Sequence, residues 1–176
     1  EGWFVTMDDS GDTVAWGAPY DQTDDHEVRV PVFDYDHSTS NWVQRGDTIL
    51  APLSGGISMD MAGNGNRIMI QSGFFQQNIG YLYTAGTNGE IFDWNGSEWE
   101  HQPAYSAMNN SSSLPGPEDG DKYSYYFDMF RQRCRLSRDG DIAIVGLPGW
   151  DSWQASPSAH GAGLVSVHAL SSGSPV

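Results

Sequence analysis

The sequence is poor in cysteine, in basic side chains and in long apolar runs. Cys134 is its single cysteine, so no disulfide can form within the chain. Eight Lys and Arg residues stand against 23 Asp and Glu, a formal charge of -15, which argues against binding to nucleic acid or to an anionic membrane surface. No apolar run approaches the roughly 20 residues that cross a bilayer, so membrane insertion is not expected.

The sequence patterns of common enzyme sites are missing as well. The five histidines show no pair at metal-ligand spacing, and there is no Gly-x-Ser-x-Gly elbow, His-Glu-x-x-His motif or phosphate-binding loop. The nearest cluster, Asp24-Asp25-His26, is equally typical of a solvated acidic loop. Paired carboxylates of the glycosidase type stay open, because the distance between them depends on the fold. We therefore predict a protein that is not an enzyme, with no catalytic residue and no cofactor.

Glycine, proline and aromatic residues are abundant, which favours many short strands and turns over helices. One stretch, residues 4–19, is written three times, and residues 57–73 and 133–148 align with it without a gap. The alignment superimposes Gly11, Gly65 and Gly140. Its apolar columns are Met7, Met61 and Leu136; Trp16, Ile70 and Val145; and Ala15, Met69 and Ile144.

Each copy predicts a β-hairpin with a two-residue turn. An apolar run meets Ser10-Gly11, Asn64-Gly65 or Asp139-Gly140, and a second apolar run follows. Glycine accepts the positive φ that a tight hairpin turn requires. Cys134 shares its column with Val5 and Met59, so we interpret it as a small buried hydrophobic residue.

The hairpins are followed by further predicted strands. In the first unit these span residues 27–35 and 41–50. In the second unit, Asn95-Gly96 as a two-residue turn places Phe92 opposite Trp99, which then occupies the same position as Trp42 in the first unit. The third unit offers a strand over 164–170 and no Trp-containing fourth strand. Before it lie a polar stretch, 109–121, predicted to be a loop, and an aromatic-rich stretch, 123–130.

This unit resembles the FG-GAP-like repeats of integrin-α-type β-propellers, and in particular degenerate secreted repeats that end in Trp-Asn-Gly-Ser-x-Trp. Gly17-Ala-Pro19 and Trp94-Asn-Gly-Ser-Glu-Trp99 carry the resemblance. It implies four-stranded blades and an extracellular role in adhesion or scaffolding. We therefore expect one all-β domain, a β-propeller-like array of about three four-stranded antiparallel blades of which the last is incomplete. Its parts are repeat 1 at about 1–55, repeat 2 at about 56–102, an insert at about 103–130 and repeat 3 at about 131–176.

Integrin-type blades often carry a calcium loop, but the three turns here hold too few oxygens for the 6 to 8 ligands that calcium takes. We predict no metal site. If calcium does bind, the place to look is Asp8 with Asp12, or the loop with Asp21, Asp24 and Asp25.

Three blades are fewer than the 4 to 8 that close a propeller, and unpaired sheet edges invite pairing with another chain. The chain is then either a segment of a longer propeller or one of several chains that complete each other. We predict an extracellular structural protein, at the cell surface or secreted, that self-associates through sheet edges into a fibre or sheath. The alternative is a glycan-binding or adhesion module of the same architecture.

Two sets of residues accompany these hypotheses. The sequons predict glycosylation at Asn95, Asn109 and Asn110, of which the overlapping last two have room for one glycan. An interface or an aromatic platform for glycans is predicted at Tyr123, Tyr125, Tyr126, Phe127, Phe130, Trp150 and Trp153.

Overall fold

The fold is built from antiparallel β-strands. The computed structural model describes residues 4–17, 28–51, 57–77, 83–102, 110–114, 133–147 and 164–170. Within these ranges all regular structure is β-strand, which confirms the all-β prediction, and no helix there has the length and apolarity to cross a membrane. The strands are β1 Phe4–Met7, β2 Thr13–Gly17, β3 Val28–Val30, β4 Val32–Asp36, β5 Asn41–Gln44, β6 Ile49–Ala51, β7 Ile57–Met61, β8 Arg67–Gln77, β9 Tyr83–Trp94, β10 Trp99–His101, β11 Asn110–Leu114, β12 Arg133–Leu136, β13 Ile142–Leu147 and β14 Leu164–Ala169.

Three hairpins with the same register organise these strands. They are β1–β2, β7–β8 and β12–β13, and all three are antiparallel. The last pair before each turn is Met7 opposite Val14, Met61 opposite Ile68, and Leu136 opposite Ala143. These pairs fall in the same columns of the sequence alignment, so the predicted superposition on the turn glycines is confirmed.

The hairpin turns are longer than the predicted two residues. In the first turn the Asp8 N–H donates to the Thr13 carbonyl at 3.0 Å, which leaves four residues in the loop, and the Gly11 N–H donates back to the Asp8 carbonyl at 3.3 Å. The other two turns repeat both bonds at equivalent positions. Gly11, Gly65 and Gly140 have the predicted positive φ, at 81°, 71° and 78°.

The side chain before each glycine explains the wider turn. In the first turn the Asp12 N–H donates to Ser10 Oγ at 3.3 Å, across the glycine between them. Equivalent bonds run from the Asn66 N–H to Asn64 Oδ1 at 2.9 Å and from the Asp141 N–H to Asp139 Oδ1 at 3.2 Å. Ser, Asn and Asp all supply this oxygen, which is the local bond that such residues offer in turns.

Each hairpin is the start of one sheet. Sheet 1 has the order β1-β2-β4-β5, sheet 2 has the sequential order β7-β8-β9-β10, and sheet 3 has the order β12-β13-β14. The backbone repeats across them, because the N–H groups of Tyr35, Trp94 and Leu170 donate to the carbonyls of Asp12, Asn66 and Asp141 respectively. Sheet 1 has four strands, sheet 2 has four strands in sequential order with β11 as a fifth, and sheet 3 has three.

Proline divides the strand that we predicted over residues 27–35. Pro31 has no N–H to donate, and on its two sides β3 and β4 join different sheets. The strand predicted over 41–50 is divided as well, with β5 in sheet 1 and β6 paired with β3 in a small separate sheet. One stretch of chain therefore contributes to two sheets, and both continuous-strand predictions were wrong.

Two details of sheet 2 also differ from prediction. Its last hairpin turns one residue later than predicted, because the Asn95 N–H donates to the Glu98 carbonyl at 3.2 Å. Trp94 therefore lies opposite Trp99, and Phe92 lies opposite His101. The match between Trp42 and Trp99 is nevertheless confirmed, since Tyr35 opposite Trp42 is the equivalent pair in sheet 1.

A strand, β11, lies inside the predicted polar loop of residues 109–121. It pairs with residues 83–87 of β9, a part of that long strand that the three-residue β10 leaves unpaired. An unpaired edge is the reason a polar segment can be recruited into a sheet.

The core has two layers, one on each side of sheet 2. Ala15 and Val32 of sheet 1 pack with Ile68 and Ile70 of sheet 2 in the first layer. The second layer joins the opposite side of sheet 2 to sheet 3. Its buried members are Met69, Ile91, Cys134, Ala143, Val145 and Leu170. Sheet 2 is therefore covered on both faces, and Cys134 is buried as predicted.

Candidate interaction surfaces

Each hairpin has two faces, because successive side chains of a strand point in opposite directions. We call one the front face and the other the back face, and equivalent columns define them in all three sheets. The front face holds Val5, Met7, Val14 and Trp16 in sheet 1, Met59, Met61, Ile68 and Ile70 in sheet 2, and Cys134, Leu136, Ala143 and Val145 in sheet 3. The back face holds Thr6 and Ala15 in sheet 1, Asp60 and Met69 in sheet 2, and Arg135 and Ile144 in sheet 3.

The sheets pack in the same sense twice. The back face of sheet 1, through Ala15, meets the front face of sheet 2, through Ile68 and Ile70. The back face of sheet 2, through Met69, then meets the front face of sheet 3, through Val145. Front and back faces are thus the two halves of one repeated contact.

The hairpin turns form a row that follows this packing. The Asp9 N–H donates to the Gly63 carbonyl at 3.1 Å, and the Gly63 N–H donates to the Arg138 carbonyl at 2.8 Å. The three residues occupy one alignment column. The side chains of Asp9 and Arg138 meet across Gly63, with Nε to Oδ2 at 2.5 Å. A Cβ on Gly63 would lie 2.5 Å from Asp9 Oδ2, so a larger residue here would require the exposed side chains of Asp9 and Arg138 to move.

An arginine links sheet 1 to the hairpin turn of sheet 2, and a second arginine links sheet 2 to the hairpin turn of sheet 3. Arg45 donates from Nη1 to the Gly65 carbonyl at 3.1 Å, and Arg67 donates from Nη1 to the Gly140 carbonyl at 2.8 Å. A carboxylate in the same column holds each guanidinium. These are Asp34, at 3.5 Å from Arg45, and Asp93, which binds Arg67 in a bidentate pair at 2.6 and 2.8 Å. Sequence reasoning did not find this link, because Arg45 follows β5 whereas Arg67 begins β8, and the two arginines share no column.

Arg45 also covers the tryptophan pair of sheet 2. Its guanidinium carbon lies 4.9 Å from the ring centre of Trp94 and 5.5 Å from that of Trp99, within cation–π range. Trp99 Nε1 donates to the Arg45 carbonyl at 3.0 Å. Gly46 packs against the same pair with a φ of 70°, and a Cβ at this position would lie only 2.6 Å from the Trp94 ring. The Trp-Asn-Gly-Ser-x-Trp segment is therefore a docking point for the preceding sheet.

The front face of sheet 1 has no such cover among the described residues. Val5 is 74% exposed and Met7 57%. The rings of Trp16 and Phe33 stack at 4.7 Å on this face, beside the exposed Trp42. The equivalents of Val5, Met7, Trp16 and Phe33 in sheet 2 are buried, and the equivalent of Trp42 is partly buried. They are Met59, Met61, Ile70, Phe92 and Trp99 respectively.

Within the part of the chain that the structure describes, the back face of sheet 3 is another apolar surface without cover. Val165 and Val167 are 68% and 65% exposed, and Ile144 opposite Val167 is 42% exposed. Its equivalent in sheet 2, Met69, is fully buried. The two end sheets thus expose opposite faces, one front and one back.

The two ends differ in charge. The described residues of 4–17 and 28–51, which contain sheet 1, carry six aspartates and two arginines. Those of 133–147 and 164–170, which contain sheet 3, carry three arginines and two aspartates. A chain that is strongly acidic overall is therefore slightly basic at one end.

Three carboxylates in the loops accept hydrogen bonds from neighbouring residues of the same loop. Partial burial opposes ionisation of Asp8, but bonds from Ser10 and from the N–H groups of Thr13, Gly11 and Asp12 hold its pKa below the ordinary value. Donors from the Ser38 and Thr39 side chains lower the pKa of Asp36 to about 2, and the Ser137 hydroxyl lowers the pKa of Asp139. Such bonds favour the charged form and stiffen the loops.

Two buried groups lie between sheets 2 and 3. Burial raises the pKa of the Cys134 thiol to about 12, against the opposing effect of its contact with Ser58 Oγ at 3.6 Å. Gln71 is 1% exposed, and neither of its amide atoms has a hydrogen-bond partner among the described residues. An unsatisfied buried amide costs about 1–3 kcal/mol.

Some of the predicted site residues lie among the described residues, and others lie outside them. Asn95 is exposed in its loop; its Oδ1 accepts the N–H groups of Ser97 and Glu98, and its Nδ2 donates to Glu100. Asn110 begins β11, whereas a loop was predicted for it. Outside the described residues lie Asn109, Tyr123, Tyr125, Tyr126, Phe127, Phe130, Trp150 and Trp153.

Of the candidate calcium ligands, one group lies among the described residues and the other lies outside them. Both carboxylate oxygens of Asp8 accept bonds within its turn, and Asp12 Oδ1 contacts His37 Nε2 at 2.9 Å. The described residues hold no group of three or more metal-binding side chains. Asp21, Asp24 and Asp25 lie outside them.

The sequence matches no protein-family model and no curated protein. Among solved structures it is similar to hydrazine synthase of Kuenenia stuttgartiensis, with 13% sequence identity and a TM-score of 0.44. The superposition covers 84% of this chain and 37% of the hydrazine synthase chain, so this chain spans little more than a third of that protein's length.

Proposed function

We propose that this chain is a non-enzymatic structural subunit of an extracellular assembly, and that its three sheets are blades of a β-propeller-type array. The observation that carries the proposal is the contrast between the covered faces of sheet 2 and the two exposed apolar faces at the ends. An exposed face with several neighbouring apolar side chains is typical of an interaction site.

The repeated contact supports the blade arrangement. Sheets 1 to 2 and 2 to 3 use the same faces, the same turn-to-turn bonds and the same arginine-to-glycine link. A contact that repeats in one sense propagates until it closes into a ring or is continued by another chain.

Local pairing of polar groups favours a structural role. His37 is bonded to Asp12, His101 to Glu90, and Asp60 to the Arg135 guanidinium and the Leu136 N–H. These bonds join two loops of sheet 1, two strands of sheet 2, and sheet 2 to sheet 3. They leave these groups engaged in holding the fold together.

An extracellular setting is supported by the exposed sequon at Asn95. Its loop projects from the end of sheet 2, where a glycan has space. We expect the protein from a secreting eukaryotic host to lose one glycan mass at Asn95 on glycosidase treatment. An unchanged intact mass, with Asn95→Gln as the matched control, would remove glycosylation from the proposal.

Self-association is the decisive property. We expect sedimentation velocity over a hundredfold concentration range to show species larger than the 19.3 kDa monomer, and electron microscopy to show rings or fibres. A single monomeric species at every concentration would refute the proposal.

A second candidate function rests on the aromatic surface of sheet 1. Trp16 stacked on Phe33, with Trp42 in edge contact with Tyr35, gives an exposed row of rings on which the apolar faces of sugars can stack. If the surface binds glycans, Trp42→Ala weakens binding in a glycan array, while Trp99→Phe, at a position that Arg45 covers, does not. An array without hits excludes this function.

A further inference from the structure

We infer that a second copy of this chain docks head to tail, with the back face of its sheet 3 on the front face of sheet 1 of the first copy. The inference rests on the proposed function and adds to it which surfaces meet and in which orientation. Each of the two exposed faces is therefore covered by another copy of the same chain.

The sheets within the chain all pack in the same direction. Within the chain, a back face always meets the next front face. The exposed faces are one unused front face, with Val5 and Trp16, and one unused back face, with Ile144 and Val167. They are the two missing halves of a third contact of the same type, so these two faces form a complementary pair.

The row of turns ends in groups that fit the same orientation. Along it, the N–H of one turn donates to the carbonyl of the next, from Asp9 to Gly63 and from Gly63 to Arg138. Among the described residues, the row leaves the Arg138 N–H at one end and the Asp9 carbonyl at the other. A head-to-tail neighbour brings that donor to that acceptor, whereas two like ends would bring together two donors or two acceptors.

Charge favours the same pairing. The sheet 3 end is slightly basic and the sheet 1 end is acidic, so unlike ends attract and like ends repel. Arg135 contributes although it is paired with Asp60, because its side chain stays 75% exposed on the back face.

One link is missing from the new contact, and this predicts its strength. The column of Asp34 and Asp93 holds Ala169 in sheet 3, so no carboxylate there holds an arginine against the neighbour's Gly11 carbonyl. The contact between chains therefore lacks the guanidinium link that both internal contacts possess. We expect association that is reversible and depends on concentration.

Two single substitutions test the orientation. Val5→Glu places a charge on the front face of sheet 1, and Val167→Lys places one on the back face of sheet 3; both positions are largely exposed, so the fold tolerates the change. Each charge repeats the sign of its own end. Leu50→Glu is the matched control, since Leu50 is an exposed apolar residue of β6, outside both faces.

A head-to-tail contact predicts a specific pattern in sedimentation velocity. Each variant alone weakens association roughly tenfold or more, because a buried unpaired charge opposes the interface. An equimolar mixture restores association, since each variant retains the face that the other needs. Leu50→Glu associates like the unmodified chain.

The other outcomes are distinct. If one variant abolishes association, the other has no effect and mixing does not restore it, then like faces meet and the head-to-tail inference is wrong. If neither variant matters, association uses another surface and the inference is wrong while the proposed function stands. If the unmodified chain never associates, both fail. Amide exchange of the unmodified chain gives an independent check: β1 and β14 must gain protection as concentration rises, and an unchanged exchange rate contradicts the inference.

Discussion

Sheets 2 and 3 begin with the same hairpin in the same register, yet sheet 2 buries both faces and sheet 3 buries one. Met69 and Ile144 occupy the same column, and the first is fully buried while the second is 42% exposed. Local sequence is similar at the two sites, and the neighbours differ. Burial here is therefore decided by position in the stack, and an end sheet is an inner sheet without its second neighbour.

The largest expected effect separates these two columns directly. Met69→Ala removes a side chain from a filled core layer, and we expect a loss of about 2–5 kcal/mol in the free energy of unfolding. Ile144→Ala, at dilute concentrations where no neighbour is bound, costs less than about 1 kcal/mol. Urea unfolding of both variants measures the contrast. Equal losses would mean that the outer face of sheet 3 is covered within the single chain.

A second comparison concerns the arginine links. Arg67 lies between Asp93 and the Gly140 carbonyl with only 14% of its side chain exposed, so Arg67→Ala leaves a partly buried carboxylate unpaired. We expect a loss of about 2–3 kcal/mol in the free energy of unfolding. Arg138→Ala, which breaks an exposed pair with Asp9, costs less than about 1 kcal/mol. If Arg67→Ala and Arg138→Ala reduced the free energy of unfolding equally, the Arg67 link between sheets 2 and 3 would contribute no more than an exposed ion pair.

Two glycines test the contact between sheets 1 and 2. Gly46→Ala adds both a clash with Trp94 and a side chain at positive φ, and we expect it to cost about 2–3 kcal/mol. Gly96→Ala also places a side chain at positive φ, of 105°, but meets nothing within 4 Å, so only the backbone strain of about 1 kcal/mol remains. Denaturant titration followed by tryptophan fluorescence gives both values. A larger loss for Gly96→Ala would rule out Gly46 as a packing residue.

Gln71 allows a test in the opposite direction. Replacing it by Met keeps a flexible side chain of similar length and removes two buried amide atoms that lack partners among the described residues. We expect a gain of about 1 kcal/mol in the free energy of unfolding, read from the urea midpoint. Destabilisation by Gln71→Met would show that the amide is satisfied in solution.

The smallest effect distinguishes loops from core. The folded pKa of Asp36, about 2, lies below its ordinary value of 3.8, so its stabilising contribution is present above pH 3.8 and is lost as the pH falls toward 2. The difference in stability between Asp36→Asn and the unmodified chain should therefore narrow over this window. Thermal unfolding between pH 6 and 2 measures it, and a difference that is constant with pH would contradict the assignment.

Much of the fold is readable from the sequence, because its signals are local. Positive φ at Gly11, the hairpin register and the equivalence of Trp42 with Trp99 each depend on a few neighbouring residues. The longer turns, and the register that puts Phe92 opposite His101, depend on side-chain bonds that a count of turn residues does not contain. Pro31 is the signal in the sequence for the divided strand, and alternation of apolar residues alone does not contain it.

The interaction surfaces are less readable, for a different reason. Alternation identifies the two faces of a strand but does not tell which face has a partner. The roles of Arg45 and Arg67 depend on contacts between residues that are distant in sequence, with Gly65 and Gly140 as acceptors. The difference in charge between the units, acidic in the first and basic around Arg133, is a signal in the sequence that points to unlike ends.

Cys134 has a practical consequence. Its thiol is protonated and enclosed between sheets 2 and 3 at neutral pH, so an alkylating reagent reaches it only after these two sheets separate. The rate of alkylation then measures how fast sheets 2 and 3 separate, and no introduced probe is needed. In the dissociated chain, a cysteine introduced on either outer face would react before Cys134, which permits a fluorophore or spin label to be attached there without removing the native thiol.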